Sequence, residues 1–329
     1  MSANVLKYSD PGGAMRIEPL PDGRHKVSVD PAPGLTVARR SWVTSYPVDL
    51  IVEIHRAKGH FVCDEIMREE SPAYVERYLR HEVLSYIDPA AFAGKRIMDF
   101  GCGSGASVMV LSRLLPACEI VGIELEEKLL NIARLRARHF GRTSIQLLRS
   151  PSGDSLPQAL GEFDFVMFNA VFEHLLPAER PQLLPKIWSH LRRGGVLFLN
   201  QTPYRFSPIE VHTTGGVPFI NYLPDSLALH AARMFSRRVS RTEEWARLLR
   251  RGIRGATVAE ILGILGGPEQ ATLLKPLPHV GDRIDLWLNT LSPKHGWLKR
   301  SIWASLKAIK TVTRAEITPT LSLAIRRQP

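Results

Sequence analysis

The chain has 329 residues, 44% of them hydrophobic and 23% charged, the proportions of a folded protein of one or two domains rather than of a fibrous or disordered chain. Lys and Arg number 43 against 32 Asp and Glu, a net charge of +11, and residues 231–329 carry the whole excess, with 18 basic and 7 acidic side chains. No run of about 18 apolar residues is present, so no membrane-spanning helix is expected, and the first 30 residues lack the apolar segment of a secretory leader.

Residues 1–35 carry several Pro and Gly with little periodicity, and an irregular, loosely attached lead is expected there. Val48-Asp49-Leu50-Ile51-Val52-Glu53-Ile54 suits a helical turn or a strand. Ser71 and Pro72 suit the N-cap and first position of a helix with Tyr74, Tyr78, Leu79, Val83, Leu84 and Ile87 along one face. An apolar strand at about 95–100 then turns through Gly101-Cys102-Gly103-Ser104-Gly105 into a helix at about 104–115, stopped by Pro116. A strand at 119–124 ends in Glu124. A helix over about 126–139 follows, with Gly141 at its end. Strands are expected at about 144–149, 163–169 and 195–201, with a helix over 178–192 before the last. Strands alternating with helices imply a parallel sheet, an α/β fold. Beyond Pro203 the pattern breaks into a long ordered loop rich in Pro and Gly. Helices are expected at 225–237, 242–252 and 256–265, around Leu286-Trp287-Leu288 and over 296–311. Residues 318–326 alternate as a last strand.

The strand–glycine turn–helix–strand–carboxylate run is the first half of a nucleotide-type binding unit. Gly101-x-Gly103-x-x-Ala106 also fits a dinucleotide fingerprint, with Glu124 at a suitable distance. Asp99, two residues before the first glycine, decides between the two. It would repel a pyrophosphate, whereas it suits a ligand carrying an ammonium group. These residues resemble the first motif of the class I (Rossmann-like) S-adenosylmethionine (SAM) methyltransferases, small-molecule type. The resemblance extends to Phe163-Asp164-Phe165-Val166-Met167-Phe168-Asn169-Ala170-Val171-Phe172-Glu173-His174-Leu175 and to Leu191-Arg192-Arg193-Gly194-Gly195-Val196-Leu197-Phe198-Leu199, similar to that family's fourth and fifth strands. It implies a Rossmann-like parallel sheet flanked by helices, with a final antiparallel strand and a mainly helical C-terminal insertion. Residues 1–70 become an N-terminal extension, 71–205 the SAM-binding core, and 206–329 an acceptor loop and basic helical region. The last strand, about 318–327, is expected to return to the core sheet.

The resemblance also assigns roles. Asp99 takes the ammonium of SAM, and Phe100, Gly101, Cys102, Gly103 and Gly105 wrap the ligand, with Cys102 as a small filler rather than a nucleophile. Glu124 takes the ribose hydroxyls and Leu125 lies against adenine. Ser152 or Asp154 contacts adenine, and the backbone carbonyl of Asn169 meets the ammonium. Candidate proton acceptors are Glu173 and His174 after the fourth strand and Glu210 and His212 after the fifth. Structural duties compete: His174 as a helix cap, His212 as a loop pin. No metal-ligand set is expected; Cys63, Cys102 and Cys118 show neither metal spacing nor a disulfide framework, and a reducing cytoplasm is the expected compartment.

Methyl transfer to a small, glycan- or lipid-linked acceptor, leaving S-adenosyl-L-homocysteine, is the implied function, with O, C and N acceptors open. No Asn/Asp-Pro-Pro-Tyr/Phe signature follows the fourth strand, which disfavours methylation of a nucleic-acid base. The basic third has three readings: a solvated helix face, a peripheral contact with anionic lipid, or phosphate contacts to nucleic acid. The alternatives to an enzyme of this kind are an inactive SAM-fold binding protein using that basic third, a nucleic-acid methyltransferase, and, more distantly, a nicotinamide oxidoreductase.

Overall fold

The computed structural model describes residues 5–33, 37–142, 144–291 and 296–329. Along the chain run β1 (Leu6–Asp10), β2 (Gly13–Pro19), β3 (His25–Pro31), β4 (Arg40–Thr44), α1 (Val48–Lys58), α2 (Val62–Glu70) and α3 (Val75–Glu82). Then come β5 (Arg96–Phe100), α4 (Ala106–Leu114), β6 (Glu119–Glu124), α5 (Glu127–His139), β7 (Ile145–Arg149), β8 (Phe163–Asn169), α6 (Arg180–Ser189) and β9 (Leu191–Pro203). The last stretch holds β10 (Ile209–Glu210), β11 (Val217–Pro218), α7 (Asp225–Phe235), α8 (Trp245–Arg250), α9 (Val258–Ile264), β12 (Ala271–Leu273), α10 (Arg283–Thr290), α11 (Gly296–Thr313) and β13 (Thr320–Arg327). This is the expected α/β class: mostly parallel sheet strands with helices between them, and an antiparallel final strand. No described helix is long and apolar enough to cross a membrane.

The chain divides into two compact units, residues 1–79 with 102–149 and residues 80–101 with 150–329. In the first, β1 to β4 form an antiparallel four-stranded sheet, where an irregular lead was expected. The signal is a short period-two alternation. Met15 and Ile17 on β2, and Val27 and Val29 on β3, turn inward, while Arg16, Ser28 and Asp30 turn away from the core. The Pro and Gly residues that suggested disorder mark turns between short strands. At Gly13, with φ +131°, an added Cβ would lie 2.3 Å from the Asp30 carbonyl oxygen, so the hairpin admits only glycine there. Trp42 Nε1 and Thr44 Oγ1 each donate to Glu70 at 2.6 Å, and the Tyr46 hydroxyl donates to Glu69 at 2.8 Å, fastening the sheet to α2. Residues 48–54 prove helical, with Leu50, Ile51 and Ile54 buried. The helix expected from Ser71 starts later, because Ser71 closes α2: its N–H donates to the Met67 carbonyl at 2.9 Å. Strands β6 and β7 pair in parallel from Ile120–Ile145 to Glu124–Arg149.

In the second unit the strand order is β12-β13-β9-β8-β5. β5, β8 and β9 are parallel, and β13 runs antiparallel to β9, so the last strand does return to the sheet. Short β12, unseen in the sequence, pairs with β13. The β13–β9 register steps between Leu321 and Ser322; Gln201 is the extra residue, with φ +64°, a bulge that bends β9 near its end. The long loop after Pro203 is tied by the β10–β11 pair and packs Val217 and Ile220 against Ala228, Ala232 and Leu248.

Candidate functional site

Of the residues expected to hold the cofactor, Cys102, Gly103, Gly105, Glu124 and Leu125 belong to the first unit, and Asp99, Phe100, Gly101, Ser152, Asp154 and Asn169 to the second. In the first, the turn runs from Cys102 through Gly103 and Gly105 into α4. Gly105, φ +84°, is required by packing, since a Cβ would meet that of Ala133 at 2.7 Å. Gly103, φ +57°, is different: a Cβ there meets nothing within 4 Å, so its face is open for a ligand to approach the backbone. Cys102 is buried, and an added Cβ at Gly122 would lie 3.0 Å from its Sγ. Glu124 ends β6. Its Oε2 accepts from the Gly103 N–H at 2.8 Å, and its Oε1 accepts from Leu125 N–H at 2.8 Å and Glu126 N–H at 2.9 Å. The carboxylate therefore braces the glycine turn from the place expected for a ribose ligand. Leu125 is exposed.

A support for this turn escaped the sequence reading. Arg136 of α5 is wholly buried and donates through Nη1 to Ser104 O and Oγ, both at 2.9 Å, and to Glu65 Oε1 at 3.2 Å. Its Nη2 donates to the Glu65 carbonyl at 2.9 Å, and Ser104 Oγ also donates to the Glu65 carboxylate. Burial pushes the Glu65 carboxyl up, but Arg136 and the Ser104 hydroxyl outweigh it and hold the group below its ordinary range. An ion pair thus clamps the middle of the glycine turn between α2 and α5.

In the second unit Asp99 and Phe100 are buried at the end of β5, and Phe100 packs on Phe168 with ring centroids 5.5 Å apart. Gly101, φ +76°, lies under Val171, whose Cγ2 would be 2.6 Å from an added Cβ. Asn169 ends β8; its Oδ1 accepts from Asn200 Nδ2 at 3.0 Å. Ser152 and Asp154 share a small loop in which Ser152 Oγ donates to Asp154 Oδ1 at 2.6 Å, and this bond holds the exposed Asp154 below its usual pKa. The two adenine candidates are thus bonded to each other.

The same unit gathers the four candidate proton acceptors. Glu173 is fully buried. Its Oε2 accepts from Thr202 Oγ1 at 3.0 Å, while Oε1 has no hydrogen-bond partner and lies 3.7 Å from His174 Nε2. Burial pushes its pKa up and His174 opposes the shift. His174 is half exposed, and its Nδ1 lies 2.7 Å from the Arg250 carbonyl oxygen. The His212 ring is 5.9 Å from that of His174; desolvation pulls its pKa down, Glu210 opposes, and His174, Arg238 and Arg251 add to the fall. Gly252 permits this arrangement, since a Cβ would stand 2.9 Å from His212 Nδ1 and 3.0 Å from Glu173 Cγ. Glu173, His174 and His212 each offer a donor atom within 4.8 Å of the others, close enough to share a proton or a divalent cation, although no metal set was expected. Glu210 is turned away from this group: Oε1 accepts from Thr213 N–H at 2.8 Å and Oε2 from Thr214 N–H at 2.5 Å.

A further bonded pair, Glu82 and Gln201, was missed. Glu82, at the end of α3, is buried, and its Oε2 accepts from Gln201 Nε2 at 3.2 Å. Burial, with an amide rather than a cation facing it, pushes its pKa up to about 8.

Comparison with known proteins places the chain. The family model described as "Methyltransferase domain" matches residues 98–197. A carboxy-S-adenosyl-L-methionine synthase of Campylobacter curvus is 27% identical over 141 residues, 43% of this chain and 57% of that protein. A ubiquinone biosynthesis O-methyltransferase of Aromatoleum aromaticum is 28% identical over 194 residues, 57% of this chain and 77% of that protein. Among solved structures, the plantazolicin methyltransferase BpumL in complex with S-adenosylhomocysteine superposes with a TM-score of 0.44 at 14% identity, covering 85% of this chain and 94% of that one. In the first unit the Gly103 face is open to a ligand at the carboxyl end of the sheet strands, the end at which such folds bind ligands. The family match covers Asp99 near the end of β5 and the three left-handed glycines after it, so residues 98–197 are similar to a methyltransferase domain.

Proposed function

We propose that the protein transfers a methyl group from SAM to a hydroxyl of a small, lipid-linked acceptor, with His174 as the proton acceptor. The cofactor, when bound, supplies a methyl group already activated on a sulfonium. The protein's share is then alignment, exclusion of water and removal of the hydroxyl proton. The His174 ring carries this reading. A carbonyl oxygen only accepts, so the bond to Arg250 fixes the proton on Nδ1 and leaves the Nε2 lone pair free. A proton arriving at Nε2 supplies the neighbouring Glu173 carboxylate with the cation that its buried Oε1 lacks. His212 flanks the pair, and Glu210, bonded to two loop amides, holds the segment that carries His212 in place.

Lipid attachment of the acceptor is supported by α11. Trp297, Leu298, Ile302, Ile309 and Val312 are all exposed and fall on one side of the helix at its 3.6-residue period. The Aromatoleum relative's name supports an oxygen acceptor. The Campylobacter relative's name supports a second reading, in which the product is a carboxylated cofactor.

The test has two stages. Titration calorimetry with S-adenosylhomocysteine should give micromolar binding, about −8 kcal/mol, lost in Glu124→Ala; absence of binding favours the binding-module alternative. Methyl-labelled SAM is then offered with hydroxylated aromatic acceptors, with and without an alkyl tail, and products are read by mass spectrometry. His174→Gln should lower kcat about 100-fold or more with cofactor affinity unchanged. Undiminished turnover would remove His174 from the reaction, and a carboxylated cofactor would favour the second reading.

A further inference from the structure

The N-terminal sheet carries a side-chain cluster that methyl transfer does not use. Asp10 ends β1, His55 lies in the last turn of α1, and His60 sits in the single 3-10 turn Gly59–Phe61 that joins α1 to α2. All three belong to the first unit. Each offers one donor atom, and the three atoms lie within 4.8 Å of one another. His55 Nε2 is 3.9 Å from Asp10 Oδ2, and His60 Nδ1 is 3.9 Å from Asp10 Oδ1, too far for direct hydrogen bonds. The two rings meet edge to face with centroids 5.3 Å apart.

Burial makes this spacing informative. His60 is only 5% exposed, and His55 Nε2, the atom that faces Asp10, is buried without a hydrogen-bond partner. Such groups are rare, because each costs about 1–3 kcal/mol of desolvation. His55 aims its unpartnered Nε2 at a carboxylate it does not reach. The turn is also shaped around the cluster: a Cβ at Gly12 would lie 2.9 Å from His60 Nδ1, and Gly12 N–H donates to Asp10 Oδ1 at 2.6 Å. That bond orients the carboxylate, as outer-shell donors orient metal ligands.

We propose that Asp10, His55 and His60 form a binding site for a divalent cation of the zinc class, which staples the β1–β2 turn to α1. Two imidazoles and one carboxylate are a donor set suited to Zn2+. Bonds of about 2.0–2.1 Å put tetrahedral ligands about 3.4 Å apart, so small side-chain rotations close the observed separations. Asp10 is exposed, and solvent fills the fourth position on its side. The staple joins segments some 45 residues apart in the chain and rests on nothing in the methyltransferase reading.

The test uses full-length protein without a histidine tag. Zn2+ titration should give one tight site per chain, and Co2+ should give the visible absorption of a tetrahedral N/O site. Asp10→Asn, which keeps an acceptor for the Gly12 amide, and His60→Ala should each weaken binding at least tenfold. Zn2+ should raise the thermal midpoint of the parent and leave both variants unmoved. His212→Ala, in the other donor cluster, should bind like the parent. Absence of Zn2+ binding overturns the proposal. So does binding that survives in Asp10→Asn and His60→Ala, or binding lost in His212→Ala. Far-UV circular dichroism of the metal-free variants that matches the parent shows that they are folded.

Discussion

Arg136 shows how a single residue can govern the glycine turn without being part of it. Its guanidinium is buried against Glu65 and both oxygens of Ser104. Arg136→Met leaves the Glu65 carboxylate buried without its cation, an error that costs about 3–5 kcal/mol. The pH sense follows from the shift. Glu65 sits below its ordinary value in the parent, so its contribution is present above the ordinary carboxylate pKa and is lost as pH falls through the lowered one. In Arg136→Met the largest influence opposing burial is gone and the Ser104 hydroxyl, Arg68 and Lys58 remain, so the Glu65 carboxyl moves up and the variant should gain relative to the parent on acidification. Urea unfolding at pH 7 and pH 5 checks both statements, and equal stability at pH 7 would refute the clamp. Glu82 is the opposite case. With its pKa up near 8 against an ordinary 4.5, the folded state holds a proton that the unfolded chain releases. Its contribution is full at low pH and is lost between about 4.5 and 8. Glu82→Gln should therefore unfold at a higher temperature than the parent at pH 9, by about 2–4 kcal/mol in stability, and match it near pH 4. A parent-minus-variant difference independent of pH would contradict the assignment. Neither residue was legible in the sequence. Asp99, Gly103 and Glu124 stand within one strand–turn–helix–strand run whose spacing encodes its geometry, whereas Glu65 meets Arg136 across 71 positions and Glu82 meets Gln201 across 119.

At the scale of elements, period and burial decided what could be read. Strand β8 was expected at 163–169 and spans Phe163–Asn169, because a buried strand bounded by loops is a clean apolar run. The β1–β4 sheet was missed because its strands are short and only two positions of each central strand face inward. β13 was found from alternation, yet the bulge at Gln201 was invisible, since it depends on the partner strand. Helix α11 is the element whose partner is open. Its Lys307 Nζ donates to Asp282 at 2.8 Å and Asp285 at 2.6 Å, and Lys310 Nζ donates to Asp282 at 2.6 Å, fixing the basic side inward. Its apolar side faces out, with Trp297 75% and Val312 85% exposed. An interfacial helix has this form. Trp297→Asp with Val312→Asp should abolish sedimentation with anionic vesicles, while S-adenosylhomocysteine affinity stays as in the parent. Sedimentation unchanged in the double variant would end the lipid reading of α11.

The charge of the whole molecule bears on the remaining partner class. A net +11 concentrated in residues 231–329 suggests a polyanion, but seven of the 18 basic side chains there are held in ion pairs within the fold. Arg250 pairs with Glu179, Arg247 and Arg251 with Glu243, Arg254 with Asp225, and Arg283 with Glu316. Lys307 and Lys310 are tied to Asp282. A guanidinium bound to its own carboxylate releases no counterion from a phosphate backbone, and counterion release supplies most non-specific nucleic-acid affinity. The pairing also explains why a basic composition misleads: a sequence counts charges, whereas a partner meets only those the fold leaves unanswered. Retention of single- and double-stranded DNA should therefore be weak at about 50 mM salt and vanish by about 200 mM. The logarithm of the binding constant should fall with a slope of about two or three phosphates, not the six to ten of a committed binder. A steep slope persisting to physiological salt would instead mean that these arginines exchange their carboxylates for phosphates, and would revive the nucleic-acid reading of the C-terminal third.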